Sequence, residues 1–268
     1  MIPTYKVHAL RLGTITADRG GVTYGRGYGT PIDIPIWSAA VEGGGYKILV
    51  DTGMADAEKW LRYHPCSITP SQTLPASLAE LGWATKDIDV VINTHLHYDH
   101  SENNLKLSNA QFYVSRAEWE FAADPVETQA WSYDVEWTSP EITYMNYTLI
   151  DVDHYDILPG IRVIKTPGHT PGHQSVVINT DEGLLCVAGD AACIMENLSA
   201  HTPPAVHVSV DEALRSIDKI AMFSKRILMT HDPELADFQD LNFPLIPAAE
   251  VIAASPGTQV GAWRTKST

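Results

Sequence analysis

Six residues, His95-Leu96-His97-Tyr98-Asp99-His100, carry four side chains able to ligate a metal ion, directly after the apolar, β-branched run from Ile88 to Asn93. Such a run reads as a buried strand, so the cluster sits in the loop at its end. Zinc takes neutral imidazole and carboxylate ligands well. In an extended chain His95 and His97 point the same way, while Asp99 and His100 can turn toward a second position. One short loop can thus feed two adjacent metals, and the chain must fold so that a sheet edge meets a polar, enclosed pocket.

Three further candidates stand in the same kind of place. His169 lies in Thr166-Pro167-Gly168-His169-Thr170-Pro171-Gly172-His173, Asp190 in Val187-Ala188-Gly189-Asp190, and His231 in Leu228-Met229-Thr230-His231. Each follows a strand-like run: Ile161 to Lys165, Leu184 to Ala188, and Arg226 to Met229. Strand ends converging on one edge are where α/β sheets place their ligands. Ile36 to Val41 and Lys47 to Val50 read as a hairpin around Glu42-Gly43-Gly44-Gly45, with Phe112 to Val114 and Ser175 to Asn179 as further strands. Ser71 to Leu81 and Asp211 to Phe223 have helical spacing. Ser115 to Ala123 reads as a helix with Ser115 as N-cap and Glu118 three residues on. The alternation predicts an α/β protein with helices covering its sheets, a single domain over residues 1–268. Residues 13–35, rich in Gly, Thr and Tyr, read as a long loop serving as lid or binding loop. The tail after Pro247 reads as partly mobile.

The bulk composition is compatible with this. With 44 % hydrophobic and 19 % charged residues the 268-residue chain has ordinary globular values. A net charge of −15 disfavours nucleic acid as a partner. No apolar run is long enough to span a membrane, and the N-terminus lacks a secretory pattern, which points to the cytoplasm. Cys66, Cys186 and Cys193 form no CxxC pair, so neither a disulfide framework nor a cysteine zinc knuckle is predicted. Cys186, within an apolar run, reads as core.

The HxHxDH motif followed by this His, Asp and His at strand ends resembles the metallo-β-lactamase superfamily over residues 36 to 235. Within it the chain is most similar to the N-acyl-homoserine lactonases, through Ile48-Leu49-Val50-Asp51-Thr52-Gly53-Met54, the His95 to His100 motif and Thr166 to Ser175. The resemblance implies an αββα sandwich with a dinuclear site. It implies that His95, His97 and His169 hold one metal, that Asp99, His100 and His231 hold the other, and that Asp190 bridges them. Asp51 would stand behind a ligand and orient it. Two Zn2+ ions per chain are expected, the donor set also accepting Mn, Fe or Co.

The implied reaction is attack of a metal-activated hydroxide on the carbonyl of a small ester or lactone, acyl-homoserine lactone-like or another, with Asp99 and Asp190 holding or moving the proton. A homodimer is compatible with the sequence. Thioester, cyclic amide or β-lactam hydrolysis uses the same site, and a non-catalytic metal-binding sensor is the remaining alternative. Two departures bear on the substrate. Ser101-Glu102-Asn103-Asn104 stands where the related lactonases usually have small residues. Cys193 stands where they usually have a tyrosine, and a thiol is a weak donor that cannot replace a longer phenol. Cys193 and Tyr28 are expected at the substrate pocket. Tyr24, Arg26 and the aromatic segment with Trp131, Tyr133, Trp137, Tyr144 and Tyr147 are candidates for its walls. Tyr98 reads as packing, and His64 and His173 as structural or surface residues.

Overall fold

The computed structural model of the protein describes residues 2–134 and 145–237. Trp137, Tyr144 and the tail after Pro247 lie outside the described residues. The first sheet contains β1 (Lys6–Asp18), β2 (Pro31–Gly43), β3 (Tyr46–Val50), β4 (Cys66–Ser67), β5 (Val90–Ile92), β6 (Gln111–Ser115) and β7 (Asn146–Ile150), in the order β4-β1-β2-β3-β5-β6-β7. The second contains β8 (His154–Leu158), β9 (Ile161–Lys165), β10 (Gln174–Thr180), β11 (Gly183–Gly189) and β12 (Arg226–Met229), in the order β12-β11-β10-β9-β8. The helices are α1 (Arg19–Val22), α2 (Ala57–Trp60), α3 (Leu74–Glu80), α4 (Tyr98–Ser101), α5 (Arg116–Ala123), α6 (Met195–Ser199) and α7 (Val210–Phe223).

Side-chain alternation along the strands makes the layers. Ile48 and Val50 of β3, Val90 and Ile92 of β5, Val176 and Ile178 of β10, and Leu185 and Val187 of β11 share one core between the sheets. The intervening residues point outward. Leu49, Val91 and Phe112 pack under Leu74 and Leu78 of α3, and Val177, Cys186 and Ile227 under Leu198 of α6 and Ile217 and Ile220 of α7. Each such aliphatic side chain contributes roughly 1.5–3 kcal/mol of transfer free energy on burial. The result is an αββα sandwich. Helix α7 follows its sequence pattern closely, with Ser209 accepting from the Glu212 amide and Ala213, Ser216, Ile217 and Ile220 buried.

Two expectations need correction. Residues 13–35 are mostly not a loop. Thr14 to Asp18 pair with Pro35 to Pro31 in an antiparallel ladder, a bulge between Arg11 and Thr14 re-aims the strand, and α1 follows. Only residues 23–30 remain irregular. Thr and Ile within the glycine-rich composition are strand formers once a partner strand is present. The capping box at Ser115 does not form either. Ser115 makes no side-chain cap bond, because Glu118 turns inward for other partners. Among the described residues no helix is long and apolar enough to cross a membrane.

Candidate metal centre

The C-terminal ends of β5, β9, β11 and β12 meet at one edge of the sandwich. Gln174 at the start of β10 ties the two sheets there, its amide donating to Thr94 O at 2.9 Å and its side chain to Asn93 O at 2.9 Å. Trp37 of β2 closes the far side, donating its backbone N–H to Thr230 O at 2.8 Å and its indole N–H to Asp232 O at 3.0 Å. His95, His97, Asp99, His100, His169, Asp190 and His231 all converge here, and all are buried. After His97 the chain enters α4, and that turn carries Asp99 and His100 away from the first two histidines.

The donor atoms fall into overlapping groups: His95, His97 and His169; His95, His100 and Asp190; and Asp99, His100 and His231. His169 Nε2 lies 3.2 Å from His95 Nε2 and 3.0 Å from His97 Nδ1. His100 Nε2 and His231 Nε2 are 3.3 Å apart, and His231 Nε2 is 3.4 Å from Asp99 Oδ2. Asp190 faces both sets: Oδ1 lies 3.3 Å from His100 and His231, and Oδ2 lies 3.5 Å from His169.

Hydrogen-bond partners fix which ring nitrogens face inward. Nδ1–H of His100 donates to Asp51 Oδ2 at 2.8 Å, that of His169 to Val206 O at 2.6 Å, and that of His231 to Pro35 O at 2.9 Å. These acceptors only accept, so in the neutral rings Nε2 is a bare lone pair. The same logic runs through Thr94, whose hydroxyl donates to Asp51 Oδ2 and accepts from His95 Nδ1. Lone pairs aimed at one another about 3 Å apart repel unless a cation lies between them. Ligands on a tetrahedral ion at about 2.0–2.1 Å lie about 3.4 Å from each other, close to the separations present. The donor set fits a pair of divalent ions.

The local electrostatics demand positive charge. Burial disfavours charged His100, yet Asp190, Asp99 and Asp51 outweigh it and push its pKa well above the ordinary imidazole value. His231 is raised against burial in the same way, chiefly by Asp190. Burial alone would raise the pKa of Asp190, but His231 and His100 hold it well below the usual carboxylate range. His95 and His97 are pushed well below, burial first and neighbouring histidines second. Cations bound here would take over the role these protons play in the ion-free protein.

Asp51 stands behind the cluster at φ 62, a left-handed conformation that Asp tolerates better than most residues, and accepts from Thr94 N, Thr94 Oγ1 and His100 Nδ1 at 2.7, 2.8 and 2.8 Å. Cys193 is buried and lines the cavity in front of the cluster. Tyr28 does not. It is 64 % exposed, its ring lying over Gly20, where any Cβ would collide with it. Arg26 pairs with Glu196 at 2.9 Å, and Tyr24 is exposed and stands edge-on to His207. Of the aromatic segment, Trp131 lines the cavity. Tyr133 packs edge-on against His97, and Tyr147 packs between Phe112 and Trp119. Tyr98, read as packing, is buried and stacked on Trp60, and His64, read as structural or surface, contacts its phenol oxygen; both also line the cavity.

The Ser101 to Asn104 segment is structural. Ser101 Oγ donates to His97 O, Glu102 accepts from the Ala55, Asp56 and Trp60 nitrogens, Asn103 donates to Thr52 and Met54 carbonyls, and Asn104 joins Thr52, Asn93 and Tyr147. These residues lie behind the motif and do not line the cavity.

Two positioning residues, Glu118, read from the sequence as a capping partner, and His173, read as structural or surface, hold the cluster from behind. Glu118, fully buried, accepts from Leu96 N at 3.0 Å, from Tyr133 OH at 2.9 Å and from the Thr170 hydroxyl. It thereby joins the His95–His97 loop to the His169 loop, and burial raises its pKa although these donors oppose the shift. A Cβ on Gly172 would lie 1.9 Å from the Glu118 backbone nitrogen, so only glycine allows this approach. His173, fully buried, accepts the Asp190 N–H through Nε2 at 2.9 Å and donates from Nδ1 to Thr166 Oγ1 at 2.9 Å. An acidic residue at N3 of a helix, and a histidine in a turn-rich repeat, were the only signals for them.

A sequence profile described as the metallo-beta-lactamase superfamily matches residues 32–230. An N-acyl homoserine lactonase of Bacillus cereus is 31 % identical over 239 residues, covering 85 % of this chain and 90 % of the relative. A crystal structure of a quorum-quenching N-acyl homoserine lactone lactonase superposes with a TM-score of 0.78 at 29 % identity, over 90 % of this chain and 98 % of the other. A structure of an N-acyl homoserine lactone hydrolase with the product N-hexanoyl-L-homoserine bound at the catalytic metal centre is 27 % identical, with a TM-score of 0.78 over 89 % and 98 % of the two chains.

Proposed function

The chain belongs to the metallo-beta-lactamase superfamily of hydrolases, and on that premise we propose that it opens a small lactone ring of the N-acyl homoserine lactone kind, using two Zn2+ ions. The observation that carries this reading is Asp190, whose two carboxylate oxygens face separate donor groups. His95, His97 and His169 would hold one ion, Asp99, His100 and His231 the other, with Asp190 between them. Bound there, the ions supply Lewis acidity that lowers the pKa of water and polarises a carbonyl.

The chain's own residues do the rest. Thr230 donates to Asp190 Oδ1 at 2.8 Å, fixing the carboxylate's rotation between the two donor groups. Asp99, in the group with His100 and His231, would take the proton of the attacking water and pass it to the leaving oxygen of the ring. Ile15, Val22, Ile34 and Val206 give the cavity an apolar wall that suits an acyl chain and excludes water from it. The cavity holds about 260 Å³ and opens to solvent on one side.

The test is proton release in weak buffer when zinc-loaded protein meets a short-chain N-acyl homoserine lactone. Release that stops on chelation and resumes with zinc supports the reading. No release from protein carrying two ions per chain rules out this substrate class, and thioesters and cyclic amides then become the substrates to assay.

A further inference from the structure

Five histidines belong to the ligand cluster, each with one ring nitrogen aimed into it and one turned away. Four of the outward nitrogens have partners. Nδ1 of His95 faces the Thr94 hydroxyl, and Nδ1 of His100, His169 and His231 faces Asp51, Val206 O and Pro35 O. His97 differs on both counts. Its inward atom is Nδ1, 3.0 Å from His169 Nε2, and its outward Nε2 is buried with no partner of good geometry among the described residues. Oε1 of the buried Gln129 is in the same condition. The Gln129 side chain acts on the His97 ring as a hydrogen-bond partner that raises its pKa against burial. Only an acceptor does that, because a donor would favour the neutral ring. The other end of the carboxamide fixes its orientation, donating to His169 O at 2.8 Å. A backbone carbonyl only accepts, so NH2 faces His169 and Oε1 is left for His97.

The hydrogen of the neutral His97 ring has two placements. On Nδ1 it meets the bare Nε2 of His169, blocks the nitrogen aimed at the cluster, and leaves His97 Nε2 and Gln129 Oε1 as two buried acceptors facing each other. On Nε2 it pairs with Gln129 Oε1, satisfies both atoms, and leaves Nδ1 bare toward His95 and His169. Ligation needs a bare Nδ1, so a bound cation selects the second placement. We propose that Gln129 is a positioning residue of the metal centre: its carbonyl accepts the Nε2–H of His97 while its NH2 holds the His169 backbone, so one side chain presents two ligands to the same ion. The inference rests on the two-ion reading above and is independent of which substrate is cleaved. The Gln129 backbone carbonyl also accepts from the Ser132 N–H and hydroxyl at 2.9 and 2.7 Å, closing the turn that brings Trp131 and Ser132 to the cavity wall. Ligands and wall thus share one residue.

The experiment compares zinc-loaded wild type with Gln129→Met, which keeps the length of the side chain without its polar ends. Zinc affinity is read by chelator competition and the His97 ring by 1H–15N spectra. Wild type should carry the hydrogen on Nε2, protected from exchange. Gln129→Met should bind one ion about 10–100-fold more weakly and exchange its Nε2 hydrogen faster. A role in packing alone would lower the melting temperature of ion-free protein and leave that hydrogen as protected as before. Wild-type zinc affinity in the variant, or equal protection of Nε2–H, overturns the inference. If wild type binds no zinc through His97, the two-ion reading fails and the inference with it. Should the variant not fold, the wild-type spectra decide: a protected Nε2–H with Nδ1 bare supports the arrangement, and a hydrogen on Nδ1, or an Nε2–H in free exchange, overturns it.

Discussion

His173 Nε2 accepts the backbone N–H of Asp190 at 2.9 Å, so the carboxylate facing both donor groups is positioned by a histidine that must stay neutral. Burial lowers the His173 pKa to about 3. In the unfolded chain the ring titrates near its ordinary value of 6.5, so below that pH the unfolded state binds the proton and the folded state does not. The stability this ring contributes is fully present above about 6.5 and is lost progressively as pH falls toward 3. Urea unfolding of ion-free protein across that range should show the decline. His173→Gln, which keeps an acceptor for Asp190 without a titrating ring, should make the decline shallower by this ring's share, His95, His97 and His169, also lowered by burial, supplying the remainder.

Gly189 precedes Asp190 at φ 59, and a Cβ there would lie 2.5 Å from His173 Nε2. Gly189→Ala meets both a left-handed backbone and a collision with the ring that holds Asp190. A loss of about 2–4 kcal/mol in unfolding free energy is expected, together with weaker zinc binding in chelator competition. A variant that melts and binds zinc like wild type contradicts this account of the turn.

Removing Asp99 takes one donor from the group with His100 and His231. Asp99→Ala should bind one zinc ion tightly instead of two, by elemental analysis after dialysis. Its turnover should fall by more than the roughly 10–100-fold typical of residues behind a metal ligand. Full-rate hydrolysis with two ions bound would remove Asp99 from the site.

Asp51→Asn keeps the shape behind His100 but loses the charge facing its Nδ1–H. The expected change is about 10–100-fold in zinc affinity or kcat, with the fold intact by circular dichroism. An affinity and kcat equal to wild type would reduce Asp51 to packing.

Glu118→Gln turns one carboxylate oxygen into an NH2, which then meets either the Leu96 N–H and Tyr133 hydroxyl on the Oε1 side or the Thr170 hydroxyl on the Oε2 side. A destabilisation of about 2–4 kcal/mol is expected from the unpaired buried groups, or roughly 5–15 °C in melting temperature. An unshifted melting curve would show that the two ligand loops hold their positions without this carboxylate.

The converging histidine and aspartate cluster could be located in the sequence because it is local. Four of its members fall within six residues, and the others follow apolar runs whose end is visible in the pattern of side chains. The layered fold was legible for the same reason, since Leu49 and Val91 alternate with neighbours that face the other way. What could not be read is whatever depends on a partner far along the chain. The ladder from Thr14 to Asp18 exists because β2 lies beside it, and glycine-rich composition hid a strand that pairing created. Glu118 and Thr170, 52 residues apart, meet only across packed loops. His64 and Tyr98, 34 residues apart, become a pair only because Trp60 and Trp131 hold their rings. The sequence by itself determined the chemistry available, because ligand type and strand-end spacing are local properties. The tertiary structure alone decided which buried carboxylate, ring nitrogen and phenol found partners, because hydrogen-bond satisfaction in a buried site depends on distances that only the packed chain sets.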